Sequence, residues 1–295
     1  MDYTAGVTRH NDPANRESIL KPKFASKSPA ANAPDDCEST LDFFRLFYTD
    51  TMIEQFVLNT NAYARTTNHK SNGVSWKDVT VSEIWVFFAI VMFMGTISVP
   101  QRRLLWDPKT RYFNNFVANN MSMRRFEGIL ACLHWENTAA FTKEQKAEKK
   151  AKDSFWPVAT YLDGLATRYK QHFIPGQDMD VDEQCIPAKC YHPAVQYNKD
   201  KPAKWAFKNF ALNCGKTKYM ANFDLYRGKD PLQDTRVPAT AYPVLKLVDD
   251  TELFQFINLI LFLDNWYVSL YLFVALLKLG IHACGTVQTH LQKVF

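Results

Sequence analysis

Two aspartates are the side chains best placed to do chemistry in this sequence. Asp182 sits in Gln177-Asp178-Met179-Asp180-Val181-Asp182-Glu183-Gln184-Cys185-Ile186, and Asp264 closes the apolar run from Phe254 to Leu263. Each reads as an acid carried by a β-strand. A carboxylate beside a packed sheet is costly unless something pairs with it or a cation binds it. Two such acids on neighbouring strands would form a divalent-metal site. The plainer readings are a strand-end acid paired with a lysine for Asp182 and a helix-capping acid just before Ser269 for Asp264.

Lysines offer a second chemistry. The stretch from Lys189 to Lys229 is basic, and Lys199, Lys201, Lys204 and Lys208 are interleaved with Tyr197, Trp205 and Phe207. Positive charge among aromatic rings suits phosphate contact. It suits an edge strand guarded against pairing equally well. Arg102-Arg103 and Arg124-Arg125 are further candidates for backbone contacts.

The elements that must position these residues follow from composition and period. The chain has 295 residues, 47% of them apolar, and a formal charge of +5. That length allows one large domain or two smaller ones, and the charge permits nucleic-acid binding without demanding it. Six scattered cysteines lack paired CxxC spacing, so a reducing compartment is the simplest reading. Cys185, Cys190 and His192 have a loose ligand spacing and read as ordinary cysteines rather than a zinc site. From the polar, proline-dotted first forty residues no leader peptide is expected. Ile84–Ile97 and Leu253–Leu279 are apolar, but the first is short and Asp264-Asn265 splits the second, so no membrane span is expected.

Residues 1–38 read as disordered. Residues 39–176 read as a helical domain. Ser39 or Thr40 caps a helix through Phe43, Phe47, Met52, Phe56 and Val57. Thr80 and Glu83 form a capping signature ahead of a run from Ile84 to Met94 that is apolar nearly all round and so belongs inside a bundle. Met123–His134 and Pro157–Phe173 are amphipathic, and Phe141–Asp153 is a solvated helix or linker. After Gly176 the period becomes extended. Strands are predicted over Asp178–Ile186, Lys204–Leu212, Lys218–Tyr226, Phe254–Leu263 and His282–Gln288, with helices over Pro238–Val248 and Ser269–Leu279. The order β-β-β-α-β-α-β is that of a ribonuclease H-like mixed sheet. In that fold the first strand carries one catalytic acid and the fourth ends in a second beside it, the positions of Asp182 and Asp264.

Several motifs resemble the piggyBac transposases and proteins derived from them. They run in order from Phe43-Phe44-x-Leu46-Phe47 and Trp76-x-Asp78-Val79-Thr80-Val81-Ser82-Glu83-Ile84-Trp85 to Arg125-Phe126-x-x-Ile129-Leu130-x-Cys132-Leu133-His134. The strongest are Val181-Asp182-Glu183-Gln184, Lys201-Pro202-x-Lys204-Trp205-x-x-Lys208, Asp264-Asn265-Trp266-Tyr267-x-Ser269 and Gly285-Thr286-Val287. The resemblance implies that Asp182 and Asp264 are the first two members of an Asp-Asp-Asp triad holding Mg²⁺, in a two-metal site acting on DNA phosphodiesters. It implies double-stranded DNA as partner, a homodimer, a nuclear location and no small-molecule cofactor. The sequence also departs from the family. No third acid follows Asp264, the cysteine-rich tail is missing, Ala206 stands where glycine is frequent, and Gln288-Thr289-His290 lacks an arginine. The expectation is a transposase-derived α/β protein, incomplete at the C-terminus (residues 177–295) and inactive as this chain. The alternative is a domesticated, non-catalytic DNA-binding protein.

Overall fold

The structure is a computed structural model describing residues 29–71, 73–228, 235–256 and 258–287. The described chain forms two compact units, one from Ala33 to Arg168, the other from the segment through Asn32 together with Tyr169 onward. The dividing points fall after Asn32 and Arg168, where the composition shifts had placed them after residues 38 and 176. Residues 1–28 of the segment read as disordered lie outside the described residues. Its later part holds Ala30–Ala31, paired antiparallel with Phe173–Ile174.

The helical unit contains α1 (Thr40–Phe47), α2 (Asp50–Thr66), α3 (Val81–Thr96), α4 (Asn115–Asn120), α5 (Met123–Cys132), α6 (Lys143–Lys152) and all but the last turn of α7 (Ala159–Gln171). Polar caps decide where most of these helices begin. Ser39 and Asp42 form a reciprocal capping box on α1, and Thr80 with Glu83 does the same for α3. The single helix expected from Ser39 is two, because the Thr49 hydroxyl accepts the Met52 N–H and starts α2 afresh. The core gathers Ile53, Phe56, Ile84, Phe87, Ile90, Phe126 and Ile129. α3 buries one face only; Val91 and Met92 are exposed, against the expectation of a helix buried all round. α6 has no buried residue and is a solvated helix. Among the described residues no helix is long and apolar enough to cross a membrane.

The second unit is built on a six-stranded sheet of β1 (Asp178–Pro187), β2 (Val195–Tyr197), β3 (Trp205–Cys214), β4 (Met220–Leu225), β5 (Ile260–Leu263) and β6 (His282–Gly285). The path runs β6-β5-β1-β3, and β2 and β4 both pair with the far edge of β3. β1–β3 and β3–β4 are antiparallel, while β1–β5 and β5–β6 are parallel. This is the strand order and direction of a ribonuclease H-like sheet. One face packs Met179, Val181, Leu212, Leu261 and Leu263 against Val244 and Leu247 of α8 (Tyr242–Asp250) and Leu272 and Leu276 of α9 (Leu270–Lys278). Ser269 caps α9, and Gly280, at φ 75°, follows its end.

Three expectations change. The strand predicted over Phe254–Leu263 is only Ile260–Leu263; before it stand a 3₁₀ turn over Leu253–Gln255 and a left-handed Asn258. Leu253 and Leu259 are fully buried without belonging to a strand, and an apolar run by itself does not separate a buried turn from a buried strand. The helix predicted from Pro238 begins at Tyr242, with Pro243 in its first turn. β2 was not foreseen, since three half-exposed residues carry no periodic signal.

Arg125 joins α5 to α3. It donates from Nε and Nη2 to both Glu83 oxygens at 2.9 and 3.0 Å, donates to the Lys77 carbonyl at 2.8 Å, and lies over the Trp76 ring. Burial alone would raise the Glu83 carboxyl, but the Arg125 hydrogen bonds and charge and the Thr80 N–H draw it below its usual 4.5. Arg125→Met is expected to cost about 2 kcal/mol of unfolding free energy, because it strips partners from a half-buried carboxylate and a carbonyl. A lowered folded pKa contributes stability that is complete above pH 4.5 and lost as pH falls through the folded value. Urea titrations of the two proteins should therefore converge toward acid; parallel pH profiles would remove Glu83 from this role.

Candidate functional site

The β1–β5 ladder decides where the two acids go. It pairs Asp178 with Ile260, Met179 with Leu261, Asp180 with Phe262 and Val181 with Leu263. Asp182, still inside β1, and Asp264, directly after β5, are the next residues, so both lie just past the end of this ladder. Side chains alternate along a strand and parallel neighbours run about 4.8 Å apart. With Met179, Val181, Leu261 and Leu263 on the core face, Asp182 and Asp264 both belong to the opposite face. Both are exposed, and neither is in a salt bridge among the described residues. Asp182 Oδ1 accepts its neighbour Glu183 N–H at 2.7 Å. Its partner across β3 is Ala211, whose methyl leaves room beside the carboxylate. The lysine-pairing alternative for Asp182 is therefore not realised. The capping alternative for Asp264 fails too, because the Ser269 hydroxyl takes the Leu272 N–H.

Nearby acids are engaged elsewhere. Asp180 Oδ2 accepts from Asn213 Nδ2 at 3.0 Å, and Glu183 Oε2 lies 2.7 Å from Lys208 Nζ. Among the described residues no group of three or more His, Cys, Asp or Glu stands close enough to hold a metal ion. The arrangement is thus a pair of exposed carboxylates, a hard-oxygen donor set that leaves most of a cation's shell to water or substrate.

The turn after Asp264 is held tightly. The Tyr267 N–H donates to the Asp264 carbonyl at 3.0 Å. A Cβ on Gly285 would stand 2.5 Å from Val268 Cγ2 and 2.8 Å from the Leu263 carbonyl oxygen, so only glycine lets β6 lie this close. Tyr267 is 2% exposed, and its hydroxyl has no hydrogen-bond partner among the described residues. Burial, then the charges of Glu183, Asp182 and Asp264, pushes its phenol well above the usual tyrosine range. One buried hydroxyl therefore lies within the field of all three carboxylates.

The four predicted phosphate-binding lysines divide. Lys199, Lys201 and Lys204 are exposed on the loop joining β2 to β3. At its base the Tyr197 and Trp205 rings, each more than half exposed, pair across the strands at 4.9 Å. Lys208 is inside β3, paired with Glu183 and lying over the rings of Trp266 and Phe210. Cys185 donates to Glu183 at 3.7 Å, and His192 accepts the Ala194 N–H, so neither stands in a metal-ligand group. Glu183, Trp266 and Tyr267 lie in the two motifs that carry the acids, and the structure packs them around Lys208 and Phe210.

A family model described as Transposase IS4 matches residues 39–294. PiggyBac transposable element-derived protein 3 of Homo sapiens is 28% identical over 263 residues, covering 86% of this chain and 40% of that protein. PiggyBac transposable element-derived protein 5 of Homo sapiens is 24% identical over 274 residues, 90% of this chain and 50% of that one. A cryo-EM structure of a piggyBac transposase synaptic complex with hairpin DNA superposes with a TM-score of 0.74 at 24% identity, over 90% of this chain and 54% of its own. The chain spans half or less of the length of these curated relatives.

Gly285→Ala is expected to lower stability by about 1–3 kcal/mol, the cost of forcing a methyl into a filled space. Chemical denaturation measures it, and an unchanged midpoint would mean that β6 does not sit this close to Leu263.

Proposed function

We propose, from the premise that this chain belongs to the piggyBac-type transposase family, that Asp182 and Asp264 are two acids of a divalent-cation site acting on DNA phosphodiesters. The observation that carries this reading is the register of β1 against β5, which sends both acids off one end of the ladder on one face. The donor set fits Mg²⁺: two carboxylates supply hard oxygens, and no lysine among the described residues forms an ion pair with them. Cation binding also relieves the repulsion between neighbouring carboxylates. When bound, the metal supplies charge stabilisation at the phosphodiester and activation of a water or 3′-hydroxyl. The chain's own share is to hold one carboxylate inside β1 and the other directly after β5, with the Gly285 contact holding the Asp264 turn.

Lys199, Lys201 and Lys204 are proposed to contact duplex phosphates from their exposed loop, with Tyr197 and Trp205 at its base. A nuclear location and a homodimer belong to the same proposal and are carried by resemblance alone. The second reading is a non-catalytic DNA-binding protein. It is favoured by a donor set of two acids rather than three among the described residues. Mg²⁺-dependent nicking of duplex DNA separates the two: its presence supports the first reading, and its absence with lysine-dependent binding supports the second.

Asp182→Asn and Asp264→Asn are each expected to weaken Mn²⁺ binding in calorimetry by at least the roughly tenfold that loss of a supporting residue costs a metal site. Unchanged affinity in either variant would remove that residue from the site. Replacing Lys199, Lys201 and Lys204 together by alanine should weaken duplex binding and flatten its dependence on log salt by roughly two to three. An unaltered slope would take the loop out of the interface.

A further inference from the structure

The sheet face that carries Asp182 extends well beyond it. Register sets Asp182 beside Ala211, Gln184 beside Asn209 and Ile186 beside Phe207 across β1 and β3. Along the other edge of β3, Tyr197 of β2 stands opposite Trp205. Side chains alternate along a strand, and Trp205 is an even number of residues from Ala211. The Tyr197–Trp205 pair therefore shares the face of Asp182, roughly 20 Å from it along β3 at about 3.4 Å per residue. Glu183, Lys208 and Phe210 belong to the opposite face. Between the acid and the rings, β1 and β3 present only uncharged side chains on this face. The Asn209 amide donates to Gln184 Oε1 at 3.2 Å, and Phe207 lies against the His192 ring. No acid on these two strands stands in the way of a phosphate backbone running from one end to the other.

The two rings are 4.9 Å apart with their planes at 55°, so they touch without stacking on each other, and each residue is more than half exposed. Directly beyond them the Asn198 N–H donates to the Lys204 carbonyl at 2.8 Å and closes the loop. That loop presents Lys199, Lys201 and Lys204 to solvent against one acid, Asp200. Open aromatic surface beside positive charge suits a nucleotide whose base is free: a ring takes the base and the lysines take the phosphates. A base inside a duplex has both faces covered by its neighbours and offers nothing to stack on. We propose that the Tyr197–Trp205 pair is a stacking site for an unpaired DNA base, so that the DNA held on this face carries a single-stranded segment at the ring end. This rests on the reading of the lysine loop as a DNA contact and adds the state of the bases it meets.

The test measures binding of the whole chain to two duplexes by fluorescence anisotropy. One carries a four-adenine overhang, and the other an abasic overhang that keeps the phosphates and removes the bases; both are made in 3′ and 5′ polarity. The wild type is expected to bind the adenine overhang roughly tenfold more tightly in at least one polarity. Trp205→Ala should bring the adenine overhang to the abasic affinity, and Trp205→Phe, which keeps a ring, should retain most of the difference. A second readout needs no variant. A single 2-aminopurine in an otherwise abasic overhang should lose emission when the wild-type chain binds, because stacking on a ring quenches it. Equal affinity for the two overhangs in both polarities, or emission that stays level or rises, would overturn the proposal. So would a Trp205→Ala protein that weakens on both DNAs by one factor, since the rings would then only support the loop. A Trp205→Ala change that alters sedimentation while the ratio of affinities stays fixed would assign the rings to a contact between copies and overturn it equally. Replacing Lys199, Lys201 and Lys204 by alanine keeps the two levels apart. If both affinities are unmoved, the loop reading itself fails; if both fall while the wild type shows no preference for bases, only the stacking site fails.

Discussion

The parallel pairing of β1 with β5 is the constraint on which everything else in the sheet unit depends. A strand reverses its faces with every residue, so a slip of one position would turn Asp264 toward the core and Leu263 toward solvent. Burial opposes that slip. Met179, Val181, Leu261 and Leu263 each lie at 6% exposure or less against α8 and α9. Exposing even one of these side chains would cost on the order of 2 kcal/mol, and a slip would expose several together. The hydrophobic core thus fixes the register, and the register in turn sets both acids just past the same end of the β1–β5 ladder.

Backbone hydrogen bonds anchor the same register from its start. The Ile260 N–H donates to Gln177, the Gly215 N–H to Asp178 and the His282 N–H to Leu259, each at 2.8 Å. Four strands are tied at one end, and the acids follow the other end of the β1–β5 ladder. Around them the polar groups are sorted by commitment. Asp180 is tied to Asn213 and Glu183 to Lys208, whereas Asp182 and Asp264 are left without a cationic partner among the described residues. Leaving two adjacent carboxylates unpaired is unfavourable for the protein alone, and it is the arrangement a cation-binding site requires.

Much of this was legible in the sequence wherever the pattern was local. Met179 and Val181 alternating with Asp180 and Asp182 announce a strand with one wet face. Ser39 and Thr80, each followed by an acid three residues on, mark helix starts. The placement of Asp264 directly after an apolar strand was also legible, since an acid closes the apolar run. What failed depended on tertiary context. The stretch after Leu253 is as apolar as a strand, yet Glu252 before it and Asn258 near its end are left-handed and turn it. Thr49 interrupts a helical pattern that is continuous on either side. The surroundings of Lys208, a carboxylate and two rings, follow from strand register and were not legible from composition.

The most direct measurement is an anomalous difference map from crystals of this chain soaked in Mn²⁺. The expected result is a peak within coordination distance of both carboxylates, with Asp182 and Asp264 on the sheet face opposite Met179 and Leu263. Carboxyl groups directed to opposite faces, or a manganese ion bound elsewhere while this pair stays empty, would contradict the account.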